Sequence, residues 1–154
     1  MNFSIDPMKE GDRQEVLAMM KPFYASDAVS TNGSDEIFSA DFEACVGENP
    51  NLFGYVIRVD DVVAGYGMVA KSFSTEFGRP SLWIEDIYFK EAYRRKGLGK
   101  AFFAFLEKEY PGMLFRLELE PENEAALALY QKRGFSPLPY LELKKINDEI
   151  KKGI

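Results

Sequence analysis

The segment Arg94-Arg95-Lys96-Gly97-Leu98-Gly99 sets three cations beside two glycines, directly ahead of an apolar pattern with helical spacing. Glycine lets backbone approach a ligand closely and adopt dihedrals closed to other residues. The first turn of a helix presents N–H groups without partners at the positive end of its dipole. With Arg94, Arg95 and Lys96 ahead of such a turn, the segment is a site for a phosphate or pyrophosphate. The plainer alternative is a solvated basic turn whose glycines end a strand. Two familiar phosphate loops fail residue by residue. A Walker A loop needs glycine where Arg94 stands and Ser or Thr where Ala101 stands. A dinucleotide fingerprint needs a small residue at position 102, which is Phe102, and this segment lies too late in the chain.

The residues able to move protons are few. The chain of 154 residues has no histidine and one cysteine, Cys45. That excludes Ser-His-Asp and Cys-His nucleophile pairs and histidine-based zinc sites, so no metal is expected. Acid-base work falls to Glu, Asp, Tyr, Lys, the chain terminus or water. Glu85 and Asp86 are adjacent carboxylates with apolar residues on either side. On a regular strand, Glu85 and Asp86 point to opposite faces, so at most one faces a given pocket. A single cysteine forms no intrachain disulfide, which fits a reducing, cytoplasmic setting. Cys45 reads as a small buried apolar residue. The net charge of −6 disfavours nucleic acid as a partner and suits a cationic small molecule. No apolar run is long enough to span a bilayer, and the N-terminus carries no signal-peptide pattern.

The elements that must position these residues follow from periodicity. Phe3-Ser4-Ile5 reads as a strand ended by Asp6-Pro7. Asp12 caps a helix to about Phe23, and a second helix runs from Ser34 or Asp35 to Val46. Phe53 to Val59 and Val62 to Phe73 read as strands joined by Asp60-Asp61, a hairpin turn without glycine. Gly78-Arg79-Pro80 turns the chain into a strand from Ser81 to Phe89, apolar enough to be buried on both faces. Leu98, Ala101, Phe102, Phe105 and Leu106 recur at helical spacing until Pro111-Gly112. Met113 to Leu119 alternates as a strand. Asn123 caps a helix to about Arg133, and Gly134 ends it. From Phe135 one or two short strands are expected, including Tyr140 to Leu143, followed by a charged tail from Lys144 that is expected to be helical. The order predicts one α/β (α+β) domain over 1–154, with a mixed sheet and helices on its faces.

Between a strand and a helix, the pattern Arg-x-x-Gly-x-Gly at 94–99 resembles the pyrophosphate loop of the GCN5-related N-acetyltransferases (GNAT). Downstream, Asn123, Ala125 or Ala126, Tyr130 and Gly134-Phe135 resemble that family's second signature, in the right order. More narrowly, Ser74 to Phe89 is similar to a stretch of the diamine and thialysine N-acetyltransferase branch, where a turn with Gly leads into a strand carrying Glu-Asp. The likeness in the first 50 residues is faint.

The resemblance implies a mostly antiparallel mixed sheet of about six to seven strands flanked by about four helices. It implies acetyl-CoA as cosubstrate and a primary amine of a small cationic acceptor, such as a polyamine, a lysine-like amine or an aminoglycoside. Ile87, Tyr88 and Phe89 would meet the pantetheine arm. The amides from Arg95 through Gly97, Leu98, Gly99 and Lys100 would hold the pyrophosphate, helped by the side chains of Arg94, Arg95 or Lys96. Asn123 would stand beside the pantetheine, or serve only as an N-cap. Tyr130 would be the general acid, or else a core aromatic. Glu85 would be the base, Asp86 a substrate contact or structural acceptor. Tyr24 and Asp27 would line the acceptor site. Other readings are a non-catalytic acyl-CoA sensor and a family member acting on a protein or peptide amine. Homodimerisation is expected only by analogy with the diamine branch.

Overall fold

In the computed structural model, which describes residues 2–31 and 33–148, strand β1 spans Phe3–Pro7. It continues through Asp6-Pro7, the pair expected to end it. β1 is an edge strand, where proline's missing N–H is tolerated. Helix α1 spans Arg13–Tyr24 and α2 spans Asp35–Val46. Asp12 stands at the N-cap position of α1, yet its carboxylate does not cap that helix. It accepts from the Lys9 N–H at 2.9 Å and pairs with Arg58. Ser34 caps α2 by accepting from the Ile37 N–H at 3.2 Å.

β2 (Leu52–Val59) and β3 (Val62–Ser74) form the expected hairpin. Asp60 and Asp61 both take positive φ, 50° and 67°. This is the two-residue turn whose twist matches the strands, and aspartate is among the few residues that tolerate it. The next turn lies at 75–78, slightly earlier than expected, and Arg79-Pro80 already belong to β4 (Arg79–Phe89). Helix α3 spans Leu98–Glu109 and β5 spans Leu114–Leu117.

The sheet order is β1-β2-β3-β4-β5; the first four strands run antiparallel and β5 lies parallel to β4. Such a parallel pair needs a crossover, which α3 supplies. One face of the sheet presents Val56, Tyr66 and Met68 to Val16, Met19 and Met20 of α1 and to Phe38 and Phe42 of α2. The other face presents Tyr55 and Gly67 to Phe102 of α3.

The chain divides into two compact units, Met1–Glu122 and Asn123–Ile154. The first holds the sheet with α1 to α3. The second holds α4 (Glu124–Lys132), capped by Asn123, whose side chain accepts from the Ala126 N–H at 3.1 Å. Residues 135–148 form neither helix nor strand. The strands expected after Phe135 are therefore missing among the described residues, and the sheet has five strands rather than six or seven. Pro137 and Pro139 remove ladder donors from this run, and Tyr140, Leu141 and Leu143 stay exposed. The tail expected to be helical is irregular over 144–148, and its remainder lies outside the described residues.

Candidate active site

β4 and β5 part company halfway along β4. Their pairing runs from Ser81↔Leu114 to Ile84↔Leu117, while β4 continues to Phe89. Residues 85–89 thus present one edge with no strand partner among the described residues. That edge includes Ile87, Tyr88 and Phe89, and apart from the Phe89 carbonyl, which Arg94 engages, its outward backbone groups can meet an extended ligand in the manner of an added strand.

A second irregularity falls at the same place. The β3–β4 register steps from Met68↔Asp86 to Val69↔Ile84, leaving Glu85 as the extra residue of a β-bulge. A bulge re-aims side chains by breaking strict alternation. The expected division of Glu85 and Asp86 between opposite faces does not hold. The charges of both reach Asp41 on α2 and Tyr24 on α1. Glu85 is exposed, whereas Asp86 is only 4% exposed.

Asp86 accepts two phenolic hydrogen bonds, from Tyr24 at 3.0 Å and from Tyr66 at 2.8 Å. Burial pushes its carboxyl up to about 6, opposed by the two phenols and reinforced by the charge of Asp41. Burial and the Asp86 charge hold both phenols firmly protonated. Asp41 is itself shifted upward, by burial and then by the charge of Glu85. Cys45, half-buried rather than buried, has its thiol pushed up to about 12 by burial and then by Asp41 and Asp86, so it is no nucleophile. Among the described residues no lysine or arginine pairs with Asp41 or Asp86. Asp27 is exposed in the loop after α1, and no described hydrogen bond or ion pair joins it to this group.

Sequence reasoning missed Tyr66 and Asp41. Asp41 shares a helix face with Phe38, Phe42 and Cys45, and a carboxylate on an apolar face was the available signal. Tyr66 gave none, since an aromatic on a buried strand is ordinary core.

Beyond β4 the chain makes a short turn and enters α3. Arg95 and Gly97 take positive φ, 58° and 83°. Gly97 is the N-cap of α3, and no side chain caps it. The first helical bond runs from the Ala101 N–H to the Gly97 carbonyl at 3.0 Å, so the amides of Leu98, Gly99 and Lys100 are open donors. A Cβ at Gly97 would meet nothing within 4 Å, and one at Gly99 only the Phe89 ring, at 3.9 Å. The fold's own packing therefore does not require glycine at 99. Arg94 is engaged inside the loop: its Nε donates to the Phe89 carbonyl at 2.8 Å and its guanidinium lies 5.3 Å from the Tyr88 ring centre. It braces the end of β4, leaving Arg95 and Lys96 as the outward cations. Lys96 Nζ lies 5.9 Å from the Tyr93 ring.

In the second unit, Tyr130 stands in the last turn of α4. Its carbonyl accepts from the Phe135 N–H at 3.1 Å, and the two rings pack edge to face at 5.8 Å. Gly134, at φ 96°, makes that reversal possible. Burial raises the Tyr130 phenol, partly offset by Arg133, and keeps its proton in place. Among the described residues no group of three or more His, Cys, Asp or Glu side chains could hold a metal ion, and no helix is long and apolar enough to cross a membrane.

The site thus combines a mixed sheet that opens beside a bulge with an uncapped, glycine-led helix. The chain belongs to the acetyltransferase (GNAT) family, whose model matches residues 17–135. It is 29% identical over 147 residues to thialysine N-epsilon-acetyltransferase of Sus scrofa, covering 87% of this chain and 84% of that one. Among solved structures, it matches a possible acetyltransferase from Clostridium difficile 630 with TM-score 0.81 at 19% identity, covering 96% and 99% of the two chains. It also matches AAC(6')-Iy in complex with the bisubstrate analogue CoA-S-monomethyl-acetylneamine, with TM-score 0.77 at 16% identity and the same coverage.

Proposed function

We propose that this protein transfers the acetyl group of acetyl-CoA to a primary amine of a small cationic acceptor, by direct attack on the thioester in a ternary complex. The observation that carries this reading is the pairing of two open backbone surfaces: the edge of 86–89, which no described strand pairs, and the uncapped amides that open α3. Their chemistry fits a long ligand with an amide-bearing arm and a pyrophosphate. Ile87, Tyr88 and Phe89 hold the arm. The amides from Arg95 to Lys100 hold the pyrophosphate, with Arg95 and Lys96 adding charge. Arg94 fixes the loop geometry, and Asn123 sets the start of α4.

Asp41, Glu85 and Asp86 give the neighbouring surface a negative charge that suits an ammonium group. Glu85, the exposed carboxylate, draws the acceptor and takes its first proton. Tyr24 lines the site beside Asp86, with Asp27 a more distant contact. Tyr130 protonates the leaving thiolate. The relatives support a lysine-like amine or an aminoglycoside as acceptor: one is named for thialysine, and another is bound to an acetylneamine conjugate of CoA.

The test is thiol release from acetyl-CoA in the presence of spermidine, lysine analogues, aminoglycosides and peptides. Turnover on at least one small cationic amine supports the reading. Binding of acetyl-CoA without turnover on any amine would leave a sensor instead, and turnover on peptides alone would move the acceptor to a protein amine.

A further inference from the structure

Asp86 is buried on the same sheet face as α1 and α2, and it is reached by two phenols of different character. Tyr66 is fully buried, whereas Tyr24 is half-buried. Tyr24 is on α1, and its hydroxyl donates its one proton to Asp86 Oδ1. A phenolic oxygen that donates its one proton keeps lone pairs with which it can accept another. From the geometry we infer that Tyr24 and Asp86 form a proton relay, in which Tyr24 takes a proton from the acceptor nitrogen and passes its own to Asp86. This rests on the acetyl-transfer reading above.

The step balances. The acceptor enters as the free amine, having lost its first proton through Glu85 to solvent. As nitrogen bonds to the thioester carbonyl carbon, the nitrogen becomes far more acidic than an ordinary ammonium. One N–H bond breaks and an O–H bond forms at Tyr24. The original Tyr24 O–H bond breaks and an O–H bond forms at Asp86 Oδ1. The C–S electron pair leaves with sulfur, which gains a proton, and Asp86 then releases its proton to solvent.

Two features suit Asp86 to this task. Its carboxyl, pushed up to about 6, is a stronger base than an exposed aspartate yet is ionised at neutral pH. Tyr66 holds the other oxygen, so the proton arrives at one defined atom. The charged and titratable groups facing Asp86 are Tyr24 on α1, Tyr66 on β3, Asp41 and Cys45 on α2, and its neighbour Glu85.

The test is the pH profile of kcat with acetyl-CoA and amine both saturating, for the wild type, Tyr24→Phe and Tyr66→Phe. Folding is checked by circular dichroism and acetyl-CoA affinity by calorimetry. The relay predicts a wild-type acid limb centred near 6. Tyr24→Phe loses about 100-fold or more in kcat with unchanged acetyl-CoA affinity, the size of a lost proton-transfer group. Tyr66→Phe keeps most of kcat but moves the acid limb to higher pH, because the lost phenol no longer favours the carboxylate. If folded Tyr24→Phe stays within about threefold of wild type and keeps the limb, the pair is a structural clasp between α1 and β4 and the relay is wrong. Failure of the wild type to turn over any amine would instead overturn the acetyl-transfer reading itself.

Discussion

Phe102 of α3 fills the notch left by Gly67 of β3, so closely that a Cβ at Gly67 would come within 2.7 Å of Phe102 Cε2. Gly67 pairs with Ile87, on the open stretch of β4. One close approach thus fixes α3 to β3 beside the open stretch of β4. Position 102, where phenylalanine ruled out a dinucleotide fingerprint, is where this fold needs its largest α3 anchor.

Gly67→Ala overpacks that notch, with Phe102 buried and unable to swing into solvent. It should lower stability by about 1–3 kcal/mol. Adding Phe102→Leu should recover part of the loss. Urea denaturation of the single and double variants checks both outcomes, and additive losses would show that the two positions do not share a contact.

Gly99→Ala separates folding from ligand binding. An added Cβ meets only an ordinary contact and removes a glycine from a helix, so stability should hold or rise by up to about 1 kcal/mol. The same Cβ stands over the open amides, so acetyl-CoA affinity should fall about tenfold or more, equivalent to about 1.4 kcal/mol. Thermal melts and calorimetry read the two effects independently. Unchanged affinity would show that the ligand does not approach at Gly99.

Asp86 makes stability depend on pH in an unusual direction. Its folded-state carboxyl is shifted upward, so the native protein holds a proton that the unfolded chain releases between the ordinary carboxylate range and about 6. Stability contributed by this group is present at low pH and lost as pH rises through that window, by about 3 kcal/mol before other groups are counted. Asp86→Asn should flatten this part of the stability profile. An unchanged slope in denaturant titrations between those limits would show that Asp86 is not shifted.

Tyr130→Phe keeps the ring that packs on Phe135 and removes only the hydroxyl. The helix end should stay intact, with kcat falling about 100-fold and acetyl-CoA affinity holding. Steady-state kinetics with calorimetry checks this. A kcat within about twofold of wild type would leave Tyr130 as a packing residue.

Local patterns carried much of this architecture. The glycine segment, the caps at Ser34 and Asn123 and the Asp60-Asp61 turn were legible because each depends on a few adjacent residues. The bulge at Glu85 was not, since register is a property of two strands and nothing in Ile84-Glu85-Asp86 marks it. For the same reason Asp41 and Tyr66 went unseen beside Asp86: α2, β3 and β4 meet only in the folded chain. The strands expected after Phe135 do not form where Pro137 and Pro139 interrupt the run.

The central claim is that the unpartnered edge of β4 and the open amides of α3 together hold acetyl-CoA. Calorimetric titration of the full-length protein with acetyl-CoA tests it most directly. The account predicts saturable one-to-one binding with a Kd between about 1 μM and 1 mM, displaced by CoA and weakened by Gly99→Ala. No binding heat and no competition at millimolar acetyl-CoA would contradict it.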